Sequence, residues 1–161
     1  MNELFLSLIE CLKEETACYR RLSLLAEAQK QLLIERKMET LPENARLQEK
    51  QVFALTPIIG RRNELLAKMA KLNGVKAMGL TDVLNKAPLD VVEEFKKTFL
   101  ELVQSGKKLG EANQNSEKLL NNALSFTDFT LNVIRDGGKQ KAFMPLVAKE
   151  ENRSSFVNRI A

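Results

Sequence analysis

The sequence predicts an all-α protein, an elongated antiparallel helical bundle of coiled-coil-like character. We expect three long helices, a short connector helix and a flexible carboxy-terminal tail. Charged residues make up 29% of the 161 residues and aromatic residues only 6%, a composition typical of long helices. Apolar residues recur at alternating spacings of three and four along three long segments, which turn-forming residues separate. We therefore assign residues 1–135 to the bundle and residues 136–161 to the tail.

The first segment predicts a helix from about Asn2 to Lys37. Cys11 and Cys18 lie two turns apart on one of its faces, roughly 10 Å, which is too far for a disulfide. We expect both thiols to be buried as small apolar groups. The predicted core-facing stripe consists of Phe5, Leu8, Leu12, Tyr19, Leu22, Ala26 and Leu33, widened by Leu4, Cys11, Cys18 and Leu25.

The second segment predicts a helix from about Leu41 to Leu72. Thr40 and Glu43 have the spacing of a capping box, and Asn73-Gly74 is a stop signal. Pro57 removes one backbone hydrogen bond at a cost of about 3 kcal/mol, so we expect a kink near residues 54–57 or a split into two helices. The predicted inward face comprises Val52, Leu55, Ile58, Ile59, Leu65, Leu66, Met69 and Leu72.

The connector predicts a short helix over residues 81–86, capped by Thr81. The third long helix is expected to begin around Pro88 or Leu89 and to reach Arg135, about 70 Å against about 50 Å for the other two. It must either project beyond its neighbours or break near residues 106–110. Its predicted seam is Val92, Phe95, Phe99, Leu102, Gly106, Leu109, Asn113, Ser116, Leu120, Ala123, Thr127, Thr130 and Ile134.

Beyond Ser116 the third helix carries more apolar residues than one seam requires. The additional apolar residues are Leu119, Leu124, Phe126, Phe129, Leu131 and Val133. Contiguous exposed apolar surface usually marks a binding site, and polar residues such as Asn113 can fix the register of a coiled-coil seam. The alternative is that half of these residues face the other two helices. The free protein could cover the surface by bending the helix back, by docking the tail or by self-association. The predicted partner-binding residues are Asn113, Asn115, Leu119, Leu120, Ala123, Leu124, Phe126, Thr127, Leu131 and Ile134.

Several classes of function are disfavoured by what the sequence lacks. It contains no histidine, so histidine bases and imidazole metal ligands are excluded, and it has no phosphate-binding loop or nucleophile elbow. The acidic pairs at 14–15, 93–94 and 150–151 are predicted to be surface acids. We therefore expect a non-enzymatic protein without cofactor or metal.

The distribution of charge and hydropathy bears on partners and location. The net charge of +4 is spread evenly among acidic residues, whereas a nucleic-acid site would cluster its basic residues. The amino terminus has no basic region followed by a long apolar stretch, and no segment is long enough to span a membrane. We expect a cytoplasmic protein that binds neither nucleic acid nor membrane.

The order of short motifs along the chain supplies a more specific indication. Residues 113–120, Asn-Gln-Asn-Ser-Glu-Lys-Leu-Leu, resemble the Asn-x-x-Asn-x-x-Leu-Leu pattern in the last helix of FlgN-type flagellar export chaperones. Asn113 matches the first Asn, Leu119 and Leu120 match the leucine pair, and Ser116 stands where the second Asn is usual. The resemblance covers about residues 4–135. It includes Leu24-Leu25 and Gln29, the run 61–66 and the connector 80–84.

The resemblance implies a cytoplasmic chaperone of flagellar type III export. Its clients would be the hook–filament junction proteins FlgK and FlgL, whose amphipathic carboxy-terminal helices it would bind and deliver to the export gate component FlhA. A tyrosine near the third helix is associated with gate docking in such chaperones. Because Tyr19 is the only tyrosine here, that role would fall to Phe126 or Phe129. The alternative function is a generic coiled-coil scaffold, or a chaperone or subunit of another secretion assembly.

Overall fold

The computed structural model describes the backbone of residues 1–135 and the side chains of residues 1–122, and every regular element in this part of the chain is helical. The predicted fold class is confirmed, with three long helices and a short connector helix. The predicted tail, residues 136–161, lies outside the described residues. The elements are α1 (Asn2–Ile34), a 3-10 turn (Met38–Thr40), α2 (Leu41–Leu72), α3 (Leu80–Asn85) and α4 (Val92–Arg135).

Helix α1 packs against both α2 and α4, and its pairing with α2 is antiparallel. The thiol of Cys11 donates to the carbonyl of Ile58 over 3.3 Å. Further along α1, the carbonyl of Leu25 accepts from Asn44 Nδ2 over 3.0 Å. Since residue numbers rise along α1 while they fall along α2, the two helices run in opposite directions.

The pairing of α1 with α4 is parallel, as an up-down-up arrangement requires. Lys13 Nζ lies 2.6 Å from Glu94 Oε1, and the carbonyl of Ala26 accepts from Ser116 Oγ over 3.0 Å. The residue numbers of both partners rise together. Consecutive long helices therefore run antiparallel, as predicted, and α4 runs beside α1 in the same direction over the length of α1.

The proximal half of the bundle, at the start of α1 and α4, has an apolar core. The rings of Phe5 and Phe95 meet edge to face with centroids 6.4 Å apart, and Phe95 stacks on Phe99 at 6.4 Å. Fully burying such a side chain contributes about 1.5–3 kcal/mol. We define the proximal half as residues 2–12 of α1, 65–72 of α2, all of α3 and 92–102 of α4. Its fully buried side chains include Leu8, Ile9, Cys11, Leu12, Met69, Val83, Phe95 and Leu102.

The predicted stripe of α1 is confirmed. All seven of its members are buried, as are both free cysteines, and the two flanking leucines are half-buried. In α2, the prediction is confirmed for Leu55, Leu65 and Met69 and wrong for Val52 and Leu72, which are exposed. Among the described residues no helix is long and apolar enough to cross a membrane.

Both α1 and α2 end in a Schellman motif, in which a residue in the left-handed conformation follows the helix. Gly74 has φ +66°, and the amide of Val75 donates to the carbonyl of Ala70 over 3.0 Å. This confirms the predicted stop of α2. At the end of α1 the same position is held by Arg36, with φ +57°, and the amide of Lys37 donates back to Leu32 over 2.9 Å. The helix consequently stops at Ile34, three residues before its predicted end.

The predicted helix caps are wrong at two starts. Thr40 ends the 3-10 turn with a helical backbone, so its side chain does not cap α2, since an N-cap residue usually has an extended backbone. The carboxylate of Glu43 binds Arg46 instead. Helix α3 begins one residue before Thr81, and Asp82 Oδ2 accepts from the amide of Gly79 over 2.8 Å.

Of the alternatives predicted at Pro57 and at residues 106–110, a split of α2 and a break of α4 do not occur, because α2 and α4 are each one continuous helix. Pro57 lies on the exposed face of α2, where the carbonyl that loses its partner, that of Phe53, is also on an exposed residue and can be hydrated. Gly106 is buried in the α4 seam and is kept helical by packing. A bend at Pro57 stays a prediction. Helix α4 begins at Val92, a few residues after its predicted start.

Candidate partner-binding surface

The distal half of the bundle comprises residues 15–34 of α1, 41–62 of α2 and 105–135 of α4, and its core contains polar groups. Ser116 is buried in the α4 seam, and its hydroxyl donates to the carbonyl of Ala26. Asn113, one seam position earlier, is half-buried. The predicted change from apolar to polar residues in this seam is confirmed at both positions.

The α1–α2 side of the distal half is polar as well. Asn44 is buried and donates to the carbonyl of Leu25. Its own side-chain oxygen accepts from Gln48 Nε2 over 2.7 Å, and Gln48 also reaches Gln29 Oε1 at 3.3 Å. Such bonds largely offset the cost of taking polar groups out of water, so their net contribution is about 1 kcal/mol each. These polar positions thus stabilise the fold less than the apolar layers of the proximal half do.

A buried ion pair marks the boundary between the two halves. Glu15 is 0% exposed, and its Oε1 accepts from Tyr19 Oη at 2.8 Å and from Arg62 Nη1 at 2.7 Å. Burial raises the pKa of Glu15, although the charge of Arg62 acts in the opposite direction. Burial together with the neighbouring carboxylate raises the pKa of Tyr19 strongly. Among the described residues Glu15 Oε2 has no hydrogen-bond partner.

The prediction that the acidic pairs lie at the surface is therefore wrong for Glu15. It is confirmed for Glu14, Glu93 and Glu94, which are exposed, and the pair at 150–151 lies outside the described residues. The signal for Glu15 was present, because the three-four rhythm that joins Leu12 to Tyr19 passes through position 15. Glu15 was not assigned to the buried stripe because only apolar residues were counted as members of it.

Helix α4 continues past the end of α1. Ser116 lies level with Ala26. From there α1 has eight more residues, to Ile34, and α4 has nineteen, to Arg135. At a rise of about 1.5 Å per residue, α4 extends roughly 16 Å, or about three turns, beyond α1. We call residues 124–135 of α4 the overhang. We predicted that α4 would either project beyond its neighbours or break, and the structure shows that it projects beyond α1.

Four of the ten predicted partner-binding residues are described with their side chains. Asn113 and Leu119 are half-buried, Asn115 is exposed and Leu120 is 38% exposed. Leu119 and Leu120 lie about one turn before the level where α1 ends. Asn113 and Asn115 lie further back, before the level of Ser116 and Ala26. The other six predicted residues lie on the helical part of α4, but their side chains are outside the described residues: Ala123, Leu124, Phe126, Thr127, Leu131 and Ile134.

The α1–α2 turn contributes exposed apolar side chains at the same end of the bundle. Ile34 is 55% exposed and Met38 is 47% exposed. Sequence reasoning did not select either residue, since each stands beside charged residues and belongs to no periodic stripe. Both residues lie at the same end of the bundle as the last turns of α4 because α1 and α4 run parallel, and this placement is not visible in the sequence.

The described side chains at this end offer apolar contact and hydrogen bonds. Within the described part of the chain, no three carboxylates or thiols are grouped so that they could hold a metal ion. The fold defines a helical protein whose longest helix extends about three turns beyond the end of α1.

Comparison with known proteins assigns the family. The FlgN protein family matches residues 1–144, which is most of the chain, so the chain belongs to the FlgN family. FlgN proteins are flagellar export chaperones that bind hook-associated proteins of the flagellum. The family resemblance of the short motifs is thereby confirmed. No curated protein and no solved structure matches the chain.

Proposed function

We propose that this protein binds, in the bacterial cytoplasm, the amphipathic carboxy-terminal helices of hook–filament junction proteins of the FlgK and FlgL type. It then delivers these clients to the export gate component FlhA. The observation that carries the proposal is the overhang of α4. Helix α4 extends about three turns past the end of α1 while its apolar pattern continues, so α1 does not cover this part of the seam.

The proposed mode of binding is that of a helix in a groove. Along the distal half, α1 covers the α4 seam as far as Ile34. By sequence the same three-four rhythm continues through Ala123, Thr127, Thr130 and Ile134. A client helix would take the place of α1 along this continuation and bury its apolar stripe against α4. Each large side chain buried in this way contributes about 1.5–3 kcal/mol.

Polar residues of α4 that precede the overhang would set the register of the client. Asn115 is exposed and Asn113 is half-buried, so both can offer amide groups to a neighbouring helix. Single polar positions in an otherwise apolar seam commonly fix register at some cost in affinity. That combination suits a chaperone, which has to select its client and afterwards release it.

The test compares two leucines on the same helix. Leu120→Asp changes a predicted contact, whereas Leu100→Asp changes a leucine that is 49% exposed in the proximal half. We expect Leu120→Asp to weaken binding to purified FlgK by at least about tenfold, or about 1.4 kcal/mol, measured by titration calorimetry. Leu100→Asp is expected to bind within about twofold of the unaltered protein.

Thermal melting of both variants shows whether Leu120 contacts the client or belongs to the core of the bundle. If Leu120 faces the client, the melting temperature should hold while binding falls. A large loss of stability with binding intact would assign Leu120 to the core and contradict the proposal. If the unaltered protein binds neither FlgK nor FlgL, the proposed clients are wrong.

Delivery to the gate is tested separately. Phe129→Ala, at a residue outside the ten predicted client contacts, is expected to leave client binding intact and to weaken association with the cytoplasmic domain of FlhA. Co-elution of the three proteins on a sizing column measures this. Co-elution that survives Phe129→Ala would remove Phe129 from the gate contact.

A further inference from the structure

We infer that the α1–α2 turn, residues 34–38, forms the second part of the client site, where the exposed side chains of Ile34 and Met38 contact the end of the bound client helix. The inference rests on the proposed function and extends it, because it places a contact on an element far from α4 in sequence. The occupant is an amphipathic helix with an apolar stripe about three turns long.

The direction of the helices provides the first argument. Since α1 and α4 run parallel, the surface that α1 covers on α4 continues without a change of direction into the overhang. A client helix that continues this interface must begin or end where α1 stops. The first groups that it meets there belong to Ile34 and to the turn that follows.

Exposure and chemistry provide the second argument. Ile34 and Met38 each leave about half of their side chain in water, at a point where the surrounding turn residues 35–37 are charged. Methionine is unbranched and adapts to differently shaped apolar partners, which suits a surface that accepts more than one client. Ile34 and Met38 would extend the apolar surface of the α4 seam onto the α1–α2 turn.

The backbone of the turn provides the third argument. Arg36 adopts φ +57°, a left-handed conformation that is strained for a non-glycine residue, whereas the equivalent stop of α2 uses Gly74. Strained residues of this kind tend to occur where a side chain or a backbone direction is used in binding. Arg36 is exposed and is placed between the two apolar side chains, where it can meet an acidic residue of the client.

The experiment measures binding of purified FlgK to the full-length chain by titration calorimetry. The test variant is Ile34→Asp combined with Met38→Asp. The matched control is Leu24→Asp, which places the same charge on α1 at a leucine that is 71% exposed and lies ten residues before the turn. We expect the double variant to lose at least about tenfold in affinity and the control to stay within about twofold. All three positions are exposed, so melting temperatures should be preserved.

A second variant, Ile34→Leu with Met38→Leu, keeps the apolar character and should retain binding within about threefold. If the aspartate double variant binds as tightly as the unaltered protein while Leu120→Asp does not, the turn is not part of the site and the proposed function stands. An equal loss in Leu24→Asp would overturn the inference, since the effect would then be one of general charge. Failure of the unaltered protein to bind any junction protein would overturn the inference and the proposed function together.

Discussion

The cores of the two halves of the bundle differ in their residue composition. In the proximal half the central layers are phenylalanines and leucines that are almost fully buried, such as Phe95, Leu12 and Leu102. In the distal half buried leucines such as Leu22, Leu55 and Leu109 share the core with the buried polar residues Asn44 and Ser116. Because the polar groups contribute less to the free energy of folding, we expect local opening to cost less in the distal half.

The two helix stops follow the same division. At the proximal end, Gly74 adopts a left-handed backbone without strain, while at the distal end Arg36 adopts the same backbone with strain. The distal end is also where α4 extends beyond the end of α1. With the client site proposed at the distal end, stability and binding are separated along one axis, and client exchange there would leave the proximal core intact.

The largest expected effect comes from the proximal core. Phe95 is fully buried and contacts two other rings, so Phe95→Ala should reduce the free energy of unfolding by about 3–5 kcal/mol. Ser116→Ala, in the distal seam, should reduce it by about 1 kcal/mol or less, because only one hydroxyl bond is lost. Urea denaturation followed by circular dichroism measures both. Equal reductions in the free energy of unfolding would contradict the claim that the proximal core contributes more to stability than the distal seam.

The buried ion pair at the boundary gives an effect of similar size. Arg62→Leu leaves the carboxylate of Glu15 buried beside Tyr19 without its positive partner, and we expect a loss of about 3–5 kcal/mol. The double variant Glu15→Met with Arg62→Leu removes both charges and should recover most of that loss. Urea midpoints of the two variants test this. A double variant that is no more stable than Arg62→Leu would show that packing, and not charge, sets the cost.

The same pair predicts a dependence of stability on pH. Burial raises the pKa of Glu15 above its ordinary value of 4.5, so the folded protein holds this proton more tightly than the unfolded chain does. Its contribution is fully present below pH 4.5 and is lost as the pH rises through the pKa in the folded protein. The slope is at most about 1.4 kcal/mol per pH unit. Urea midpoints between pH 5 and 7 measure it.

Other ionisable groups are not expected to mask this slope. The chain has no histidine. Glu35 and Glu43, whose pKa values are lowered by hydrogen bonds from Lys37 and Arg46, lose their contribution only as the pH falls below 4.5. Glu15→Gln should abolish the slope, and Glu14→Gln, at the exposed neighbouring position, should keep it. A slope that persists in Glu15→Gln would assign it to another group.

The smallest effects are expected at the helix stops, and they should have opposite signs. Gly74→Ala forces a side chain into the left-handed region and should cost about 1 kcal/mol, while Arg36→Gly relieves that strain and should gain about 0.5–1 kcal/mol. Thermal melting measures both. If Arg36→Gly also weakens binding of FlgK, the turn combines strain with contact. A destabilised Arg36→Gly would mean that the arginine side chain itself supports the fold.

Much of the fold follows from periodicity. The three-four rhythm located all three long helices, the buried stripe of α1 and the polar change at Ser116. The errors arise where tertiary packing overrides a local signal. Thr40 has the composition of a cap but the backbone of a 3-10 turn, and Pro57 is tolerated because its freed carbonyl belongs to an exposed residue.

The candidate site was predictable only in part. The pattern of α4 indicated a binding surface from its own residues, but Ile34 and Met38 belong to a different element and become its neighbours only through the parallel pairing of α1 and α4. Glu15 was missed for a related reason, because its burial depends on Arg62, forty-seven residues away. Local patterns carry no information about such partners.

Hydrogen exchange of the full-length chain with and without FlgK tests the central claim most directly. We expect slowed exchange of amides in residues 116–135 and in the turn 34–38 when the client is bound, and no change in residues 92–102 of the proximal half. Protection confined to the proximal half, with the overhang of α4 exchanging as fast as in the free protein, would contradict the account.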